Sequence, residues 1–579
     1  MAGNFYTDNP DIEYNLERLN LRKLADLLEG DYGESKIYDF APENADDARE
    51  NYLNVCKIAG ELCAGPLFER ARQIDQEGNV CKDGDVIYHP LIKKNIDDFR
   101  KAQLLGLSLP RKYGGTNMPQ VVKVAILEMV SRADAALMNL VGLQDIAETI
   151  NEFGSEEEKQ IFVTPLATGE ATGAMALTEP DSGSDLQSVR LAATMPADGN
   201  EKGVWRLNGV KRFITNGCGN VLLVLARSEE GTHDGRGLST FVCFRDKSVR
   251  IRRIENKMGI HGSPTCEMTF SNTPCYLVGK RRLGLIRYFM VLMNGARIGV
   301  AAQALGIGEA AYRDAREYAE SRVQFGKPIS HFPAVYDMLT QMKIKVEAGR
   351  ILLYETSRVV DLLKVNGRRA DEMKEHGKPV DPRTLTDIKY YDKLAGVLTP
   401  LAKFYNSEMA NQNAYDGIQI MGGSGFMKDY NMERYYRDAR ITNIYEGTSQ
   451  LQVVAAIGGL LAGHMNKIYD DFCAKNFEDK FEYLAHRVKE MVKKLYHAIE
   501  FVKNQKNQHY TDYMARKLVE MGIDTYIAIL FLECAQSSER KAKVTEIWVN
   551  EAESRVKSYH DYVTSGHYQV INNHRNIIG

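Results

Sequence analysis

The segment NIYEGTSQLQ (Asn443 to Gln452) sets one carboxylate, Glu446, between an aromatic and a glycine, ahead of a Thr448-Ser449 pair and an apolar run. A desolvated carboxylate titrates above its usual ~4.3, so a single one in so apolar a setting, at the mouth of a helix, raises the question of what it is for. The plainer reading is an acidic residue favouring the start of a helix. Four further segments carry groups that suit a ligand or exclude one. ALTEPDSGSD (Ala176 to Asp185) offers the Thr178 and Ser184 hydroxyls among small residues that let backbone amides approach an anion or a heteroaromatic ring. It reads equally as a domain-linking loop. RFITNG (Arg212 to Gly217) gives a Phe213 wall and a Thr215 hydrogen-bond partner, or simply a strand ending in an Asn-Gly turn. RVQFGKP (Arg322 to Pro328) clusters a basic and an aromatic residue at a helix end, where dipole compensation and a Gly-Lys-Pro stop would also explain them. QIMGGSGF (Gln419 to Phe426) is a glycine cluster without the Gly-Lys-Ser/Thr of a Walker motif. GIGEAA at Gly306 lies inside a helical pattern rather than after a strand, so a dinucleotide fingerprint is rejected.

The elements that must position these residues follow from periodicity. From Asn15 to about Thr168 apolar residues recur at three- and four-residue steps, and Ser155 ahead of three glutamates caps a helix start. Near Gly173 the composition turns to short β-branched and aromatic runs such as NVLLVLARS and GLSTFVCFRD, separated by Gly, Asn and Asp turns. This predicts an antiparallel β-domain ending near Leu277, with Arg250, Arg252 and Arg253 on a solvated face. Helical periodicity returns from Leu283 to about Met465, interrupted by a polar stretch between Lys364 and Ile388 that is expected to be an exposed connection. A further helical bundle is expected after Met465. The expected domains are residues 1–172 (α), 173–280 (β), 281–465 (α) and 466–579 (a helical extension).

Composition narrows the function classes. Among 579 residues, 74 Lys+Arg nearly balance 77 Asp+Glu, which argues against a general nucleic-acid binder. Nine cysteines show no CxxC spacing, and no His/Cys cluster has metal-ligand spacing, so reduced thiols and no metal site are expected. The N-terminus lacks a secretory pattern, and the longest apolar runs fall short of the ~18 residues of a membrane span. A cytoplasmic protein is expected.

Taken in order and spacing, LTEP-SGSD, FITNG, HGSPTCEMTFSN, R-FGKPI, Q-MGGSGF and RDARITNIYEGTSQLQ resemble the acyl-CoA dehydrogenase family, over roughly Phe99 to Ala462. The resemblance implies an α+β fold: an N-terminal all-α domain, a central antiparallel β-barrel or sandwich, a C-terminal four-helix bundle and, here, an added helical bundle. It implies FAD as cofactor and α,β-dehydrogenation of a fatty or related acyl-CoA to the trans-2-enoyl-CoA. In that scheme Glu446 removes the α-proton, a β-hydride passes to flavin N5, and electrons go on to an electron-transfer flavoprotein. The motif match assigns Leu177, Thr178, Thr215 and Phe213 to the flavin ring; many relatives have tryptophan in place of Phe213. Ser184 would touch flavin phosphate or the substrate's pantetheine. Thr448 and Gln450 would bind FAD in the same subunit. Arg322, Phe325, Gln419 and Gly423 would reach the partner subunit's FAD, making a homodimer the minimum unit and a tetramer the larger alternative. Asn294, Arg297, Tyr445 and Gly447 are the implied substrate contacts.

Some relatives carry the base on another helix just before an arginine, but Ala296 precedes Arg297 here, leaving Glu446 as the sole candidate. The insertion near Glu375 and the residues after Met465 depart from the family's small members. A bundle packed on the dimer is the expectation for the latter, since its helices mix both charge signs. Two rivals remain at this level: an acyl-CoA oxidase using oxygen, and a flavin-containing family member recruited to nucleic acid.

Overall fold

The computed structural model describes residues 3–579. The helices used below are α1 (Gln120–Ala133), α2 (Met290–Ser321), α3 (Pro333–Glu375), α4 (Pro382–Met421), α5 (Met432–Thr442), α6 (Ser449–Leu461), α7 (Asp479–Asn504), α8 (Gln508–Ala535) and α9 (Glu539–Thr564). The chain divides into two compact units. The first comprises residues up to Ile329 together with Ala410–Thr442; the second comprises Ser330–Met409 and Asn443–Gly579.

In the first unit, N-terminal helices surround α1, which is apolar on nearly every side and almost wholly buried. It packs against α2 through Gly306, where an added Cβ would lie 2.3 Å from the Glu128 carbonyl oxygen. The glycine inside GIGEAA is therefore a helix-contact residue. Ser155 forms the expected cap, a reciprocal capping box with Glu158. Among the described residues, the helical stretch Gly284–Ser321 is long and apolar enough to cross a membrane, but 67% of its most apolar window is buried in the protein.

Seven strands follow: β1 (Gly173–Ala176), β2 (Ala192–Thr194), β3 (Trp205–Thr215), β4 (Val221–Arg227), β5 (Leu238–Phe244), β6 (Val249–Ile254) and β7 (Thr265–Leu277). Pairings β4–β2–β3–β7–β5–β4 close a ring, with β1 on β4 and β6 on β7. The barrel is as expected, but it is not purely antiparallel: β1 and β2 both pair parallel to β4. The continuous apolar run of β4 accounts for this. Leu222, Val224 and Ala226 pack inward with Trp205 and Phe241, whereas Val221, Leu223 and Leu225 pack outward with Phe162 and Leu166. A strand buried on both faces is the setting in which parallel pairing is found. The Arg252 and Arg253 side chains are exposed but paired, both reaching Glu267 at 2.9 and 3.0 Å.

In the second unit, α3 and the first part of α4 pack closely, Asn406 donating to the Gly349 carbonyl at 3.3 Å. The polar stretch expected as a connection is mostly helix. α3 continues to Glu375 and α4 begins at Pro382, with Asp381 accepting from the Arg383 amide. Ala370 remains buried while its charged neighbours stay in water, so composition hid a solvated helical continuation. The extension helices α7, α8 and α9 form one bundle. Glu347 of α3 is fully buried and bonded by Lys541 of α9 at 2.8 Å and by Arg540. Asp524 of α8 holds Arg555 of α9 in a two-pronged pair at 2.8 and 2.9 Å.

Candidate functional site

At one end of the barrel, β3 pairs with β7 through a bulge: Arg212 and Phe213 stand where β7 supplies only Glu267. Phe213 adopts φ +60° and is 51% exposed, because the bulge turns its ring out of the strand's alternation. The Arg212 guanidinium lies 4.6 Å from that ring and pairs with Glu255 at 2.9 Å. The Arg212 amide donates to the Thr178 carbonyl at 2.9 Å, which brings Leu177 and Thr178 beside Phe213 and Thr215. Leu177 is buried, and Thr178 and Thr215 are half-buried. Ser184 lies beyond a tight turn closed by Glu179 and Ser182, and is exposed.

A buried ion pair that sequence reasoning missed shapes this loop. Lys211 is fully buried and donates to the Leu177 carbonyl at 2.7 Å and to Glu179 at 2.9 Å. Glu179 also accepts from the Arg190 and Leu191 amides. Burial pushes Lys211 down to about 8 despite the opposing attraction of Glu179. The signal that could have found it is parity: Trp205, Leu207 and Lys211 share the inward face of β3. Asn216 does not make a tight hairpin turn. It is buried, donates to the Gly173 carbonyl at 2.9 Å and accepts from the Tyr88 hydroxyl.

Farther along the first unit, Asn294 and Arg297 lie one turn apart on α2 and bond at 3.1 Å. After α2 comes a two-residue hairpin, β8 (Val323–Gln324) with β9 (Lys327–Pro328), whose tip residues Phe325 and Gly326 have φ +50° and +81°. Gly326 thus completes a hairpin turn and Lys327–Pro328 form its second strand, whereas the helix has already ended at Ser321. Phe325 is 93% exposed. Tyr318 of α2 bonds Ser424 at 3.1 Å, tying the helix end that carries Arg322 to the Gly423–Phe426 turn. Gln419 and Gly423 are exposed.

In the second unit, Asn443 to Gly447 precedes α6, and Thr448 caps that helix by accepting from the Leu451 amide at 3.3 Å. Glu446 and Gly447 are both left-handed, at φ +51° and +89°. A non-glycine residue there carries strain that its surroundings must hold. Gln452, fully buried on α6, donates its amide to the Glu446 carbonyl at 3.1 Å and the Gly447 carbonyl at 2.9 Å. Lys403, fully buried on α4, donates to the Gly447 carbonyl at 2.7 Å. Tyr445, Glu446, Gly447 and Thr448 are half-buried, and Gln450 is exposed. Lys403 and Gln452 were also missed: Lys403 lies outside every motif, and Gln452 closes the NIYEGTSQLQ segment without having been singled out.

The barrel-end residues fit a flat ring with polar edges. An outward aromatic fixed by a bulge lies near Thr178 and Thr215 in the backbone pairing, and the loop carrying Thr178 is braced by Lys211. An aromatic face with nearby threonines fits a flat ring with polar edges such as the isoalloxazine of FAD.

Comparisons with known proteins agree with the architecture. Acyl-CoA dehydrogenase family models match the N-terminal domain at residues 59–170, the middle domain at 174–273, and the C-terminal domain at 286–378 and 383–457. A further model described as Acyl-CoA dehydrogenase C terminal matches 462–569. An acyl-CoA dehydrogenase of Bacillus subtilis is 34% identical over 401 residues, covering 68% of this chain and 95% of that one. The structure of butyryl-CoA dehydrogenase from Megasphaera elsdenii aligns with a TM-score of 0.59 at 32% identity, over 71% of this chain and 98% of that one. An acyl-CoA dehydrogenase from Bacillus anthracis complexed with FAD aligns at a TM-score of 0.73 and 23% identity, over 88% of each chain.

Proposed function

The chain belongs to the acyl-CoA dehydrogenase family of FAD-dependent oxidoreductases, and from that premise we propose that Glu446 is the base that removes the α-proton of an acyl-CoA thioester. The observation that carries this reading is the loop itself. Two consecutive left-handed residues, held by Lys403 and Gln452 at their carbonyls, set one carboxylate just outside the mouth of α6. A strained backbone so braced is characteristic of a functional position. The Glu446 amide is the proposed donor to the thioester oxygen, which gains negative charge as the proton leaves.

FAD, when bound, supplies the acceptor for the β-hydride. Leu177, Thr178, Phe213 and Thr215 are proposed to hold its ring, Ser184 a phosphate or the pantetheine, and Thr448 and Gln450 the same subunit's cofactor. Asn294, Arg297, Tyr445 and Gly447 are proposed to line the acyl-CoA. Arg322, Phe325, Gln419 and Gly423 are proposed to serve the FAD of a second copy. The exposure of Phe325 supports that reading, and with it a homodimer as the smallest assembly. Electron-transfer flavoprotein is the proposed acceptor, the four-part domain division the proposed organisation, and the cytoplasm the proposed compartment. The nine unbridged cysteines support the last.

The test is anaerobic flavin bleaching by a panel of acyl-CoAs, with the native protein and Glu446→Gln. The native flavin should bleach with at least one acyl-CoA and the variant should not; equal bleaching by both removes Glu446 as base. Peroxide released at the rate of turnover would replace the flavoprotein acceptor by oxygen.

A further inference from the structure

The strained loop has a third anchor besides Lys403 and Gln452, and it leads into the C-terminal extension. Glu408 of α4 accepts from the Ser449 hydroxyl at 2.5 Å and from the Asn443 side-chain amide at 3.2 Å through the same oxygen. Those two residues bracket Ile444 to Thr448, and the Ser449 amide also bonds the Asn443 carbonyl at 3.1 Å. One carboxylate oxygen thus pinches both ends of the segment carrying Glu446. The other oxygen faces Arg516 of α8, whose guanidinium lies 3.3 Å away. Arg516 is itself steered by Glu520, one turn on at 2.9 Å, and by the Phe404 ring at 5.1 Å.

We infer that Arg516 is a positioning residue for proton abstraction, acting from the extension through Glu408 on the loop of Glu446. The inference rests on the proposal that Glu446 is the base. Without the cation, the Glu408 carboxylate is free to rotate about its own side chain, and the two hydrogen bonds on its inner oxygen lose their fixed acceptor. The loop then relaxes from its left-handed pair and the carboxylate of Glu446 moves off its line to the α-carbon. Rates of this kind are sensitive to small displacements, about a hundredfold for 1 Å. The Arg516–Glu408 pair is half-exposed, with side chains 47% and 35% accessible, so its own share is about threefold. The extension therefore acts as a brace on the active loop as well as a bundle in its own right.

The experiment measures deuterium uptake at the α-carbon of an acyl-CoA that lacks β-hydrogens, using the flavin-loaded protein in heavy water, alongside kcat and KM for an oxidisable substrate. Arg516→Gln should slow uptake and kcat about threefold with KM unchanged, and Glu408→Ala about tenfold. Adding Arg516→Gln to Glu408→Ala should change nothing further, because the arginine acts only through the carboxylate. Glu408→Gln, which keeps an acceptor for Ser449 and Asn443 but loses the charge, should behave like Arg516→Gln and serves if the alanine variant does not fold. An undiminished effect of Arg516→Gln in the Glu408→Ala background, or native rates in both single variants, overturns the inference. Uptake by Glu446→Gln at the native rate overturns the base assignment instead; Glu446→Gln silent beside native-like Arg516 and Glu408 variants overturns the brace alone.

Discussion

Gly447→Ala is the substitution whose effect can be worked most directly from the structure. Gly447 sits at φ +89°, and an alanine there costs about 1–2 kcal/mol in backbone strain alone. Its Cβ would lie 2.6 Å from the Gln452 side-chain nitrogen, so that amide must withdraw. In withdrawing it gives up its bonds to the Gly447 carbonyl at 2.9 Å and the Glu446 carbonyl at 3.1 Å, each worth about 1 kcal/mol. Lys403 still satisfies the Gly447 carbonyl, so the loss there is partial. The native loop conformation is then destabilised by about 2–4 kcal/mol. At about 1.4 kcal/mol per factor of ten, flavin reduction by acyl-CoA should slow by about 30- to 1000-fold. Flavin content is measured alongside, because Thr448 and Gln450, proposed to hold the same cofactor, follow Gly447 closely in the chain. The assay is stopped-flow bleaching under nitrogen, with Gly367→Ala as control. Gly367 lies inside α3 with nothing within 4 Å of an added Cβ, so alanine there should be neutral or stabilising by up to about 1 kcal/mol. Bleaching by Gly447→Ala within threefold of native would refute the reasoning that the left-handed pair positions the base.

Two further outcomes are expected. Lys211→Met strips the buried Glu179 of its cation, a loss of about 3–5 kcal/mol when one partner of such a pair is removed; it should purify with less flavin and a lower Tm, and native flavin content would count against a role for this pair in shaping the Thr178 loop. Asp438 on α5 is pushed up to about 7 by burial, reinforced by the neighbouring Asp75, which Arg437 and His261 keep ionised. A carboxyl raised in the folded state contributes stability that is complete below its unfolded value near 3.8 and lost as pH rises through 7. Native Tm should therefore fall between about pH 4 and 7 relative to Asp438→Asn, at up to about 1.4 kcal/mol per pH unit. The asparagine retains an acceptor for the Ile260 amide that Asp438 binds at 2.5 Å, and parallel Tm profiles would show that Asp438 does not titrate there.

What was legible in the sequence and what was not divides along range. Period and turn chemistry are local, so the helices, the β-run from Gly173 to Leu277 and the helical extension could be read from composition and spacing. Thr178, Phe213 and Glu446 could be singled out as candidates because their neighbours carry a family pattern. Their supports were not. Lys403 lies 44 positions from the carbonyl it holds, and Arg516 lies 108 from Glu408; no periodicity links such pairs. Backbone state was also hidden: Glu446, Phe213 and Phe325 all adopt positive φ without being Gly or Asn, so residue type gave no warning. The misread stretch from Lys364 to Ile388 shows the complementary failure. A helix with little to bury looks like a loop in composition, yet Val365 and Ala370 of α3 are still buried. These failures share a cause, because the features that depart from local preference are held by distant partners. The loop of Glu446 combines two of them, a disfavoured backbone and remote polar anchors, and it is there that altering the anchor alone, with Glu446 untouched, should be felt in the rate.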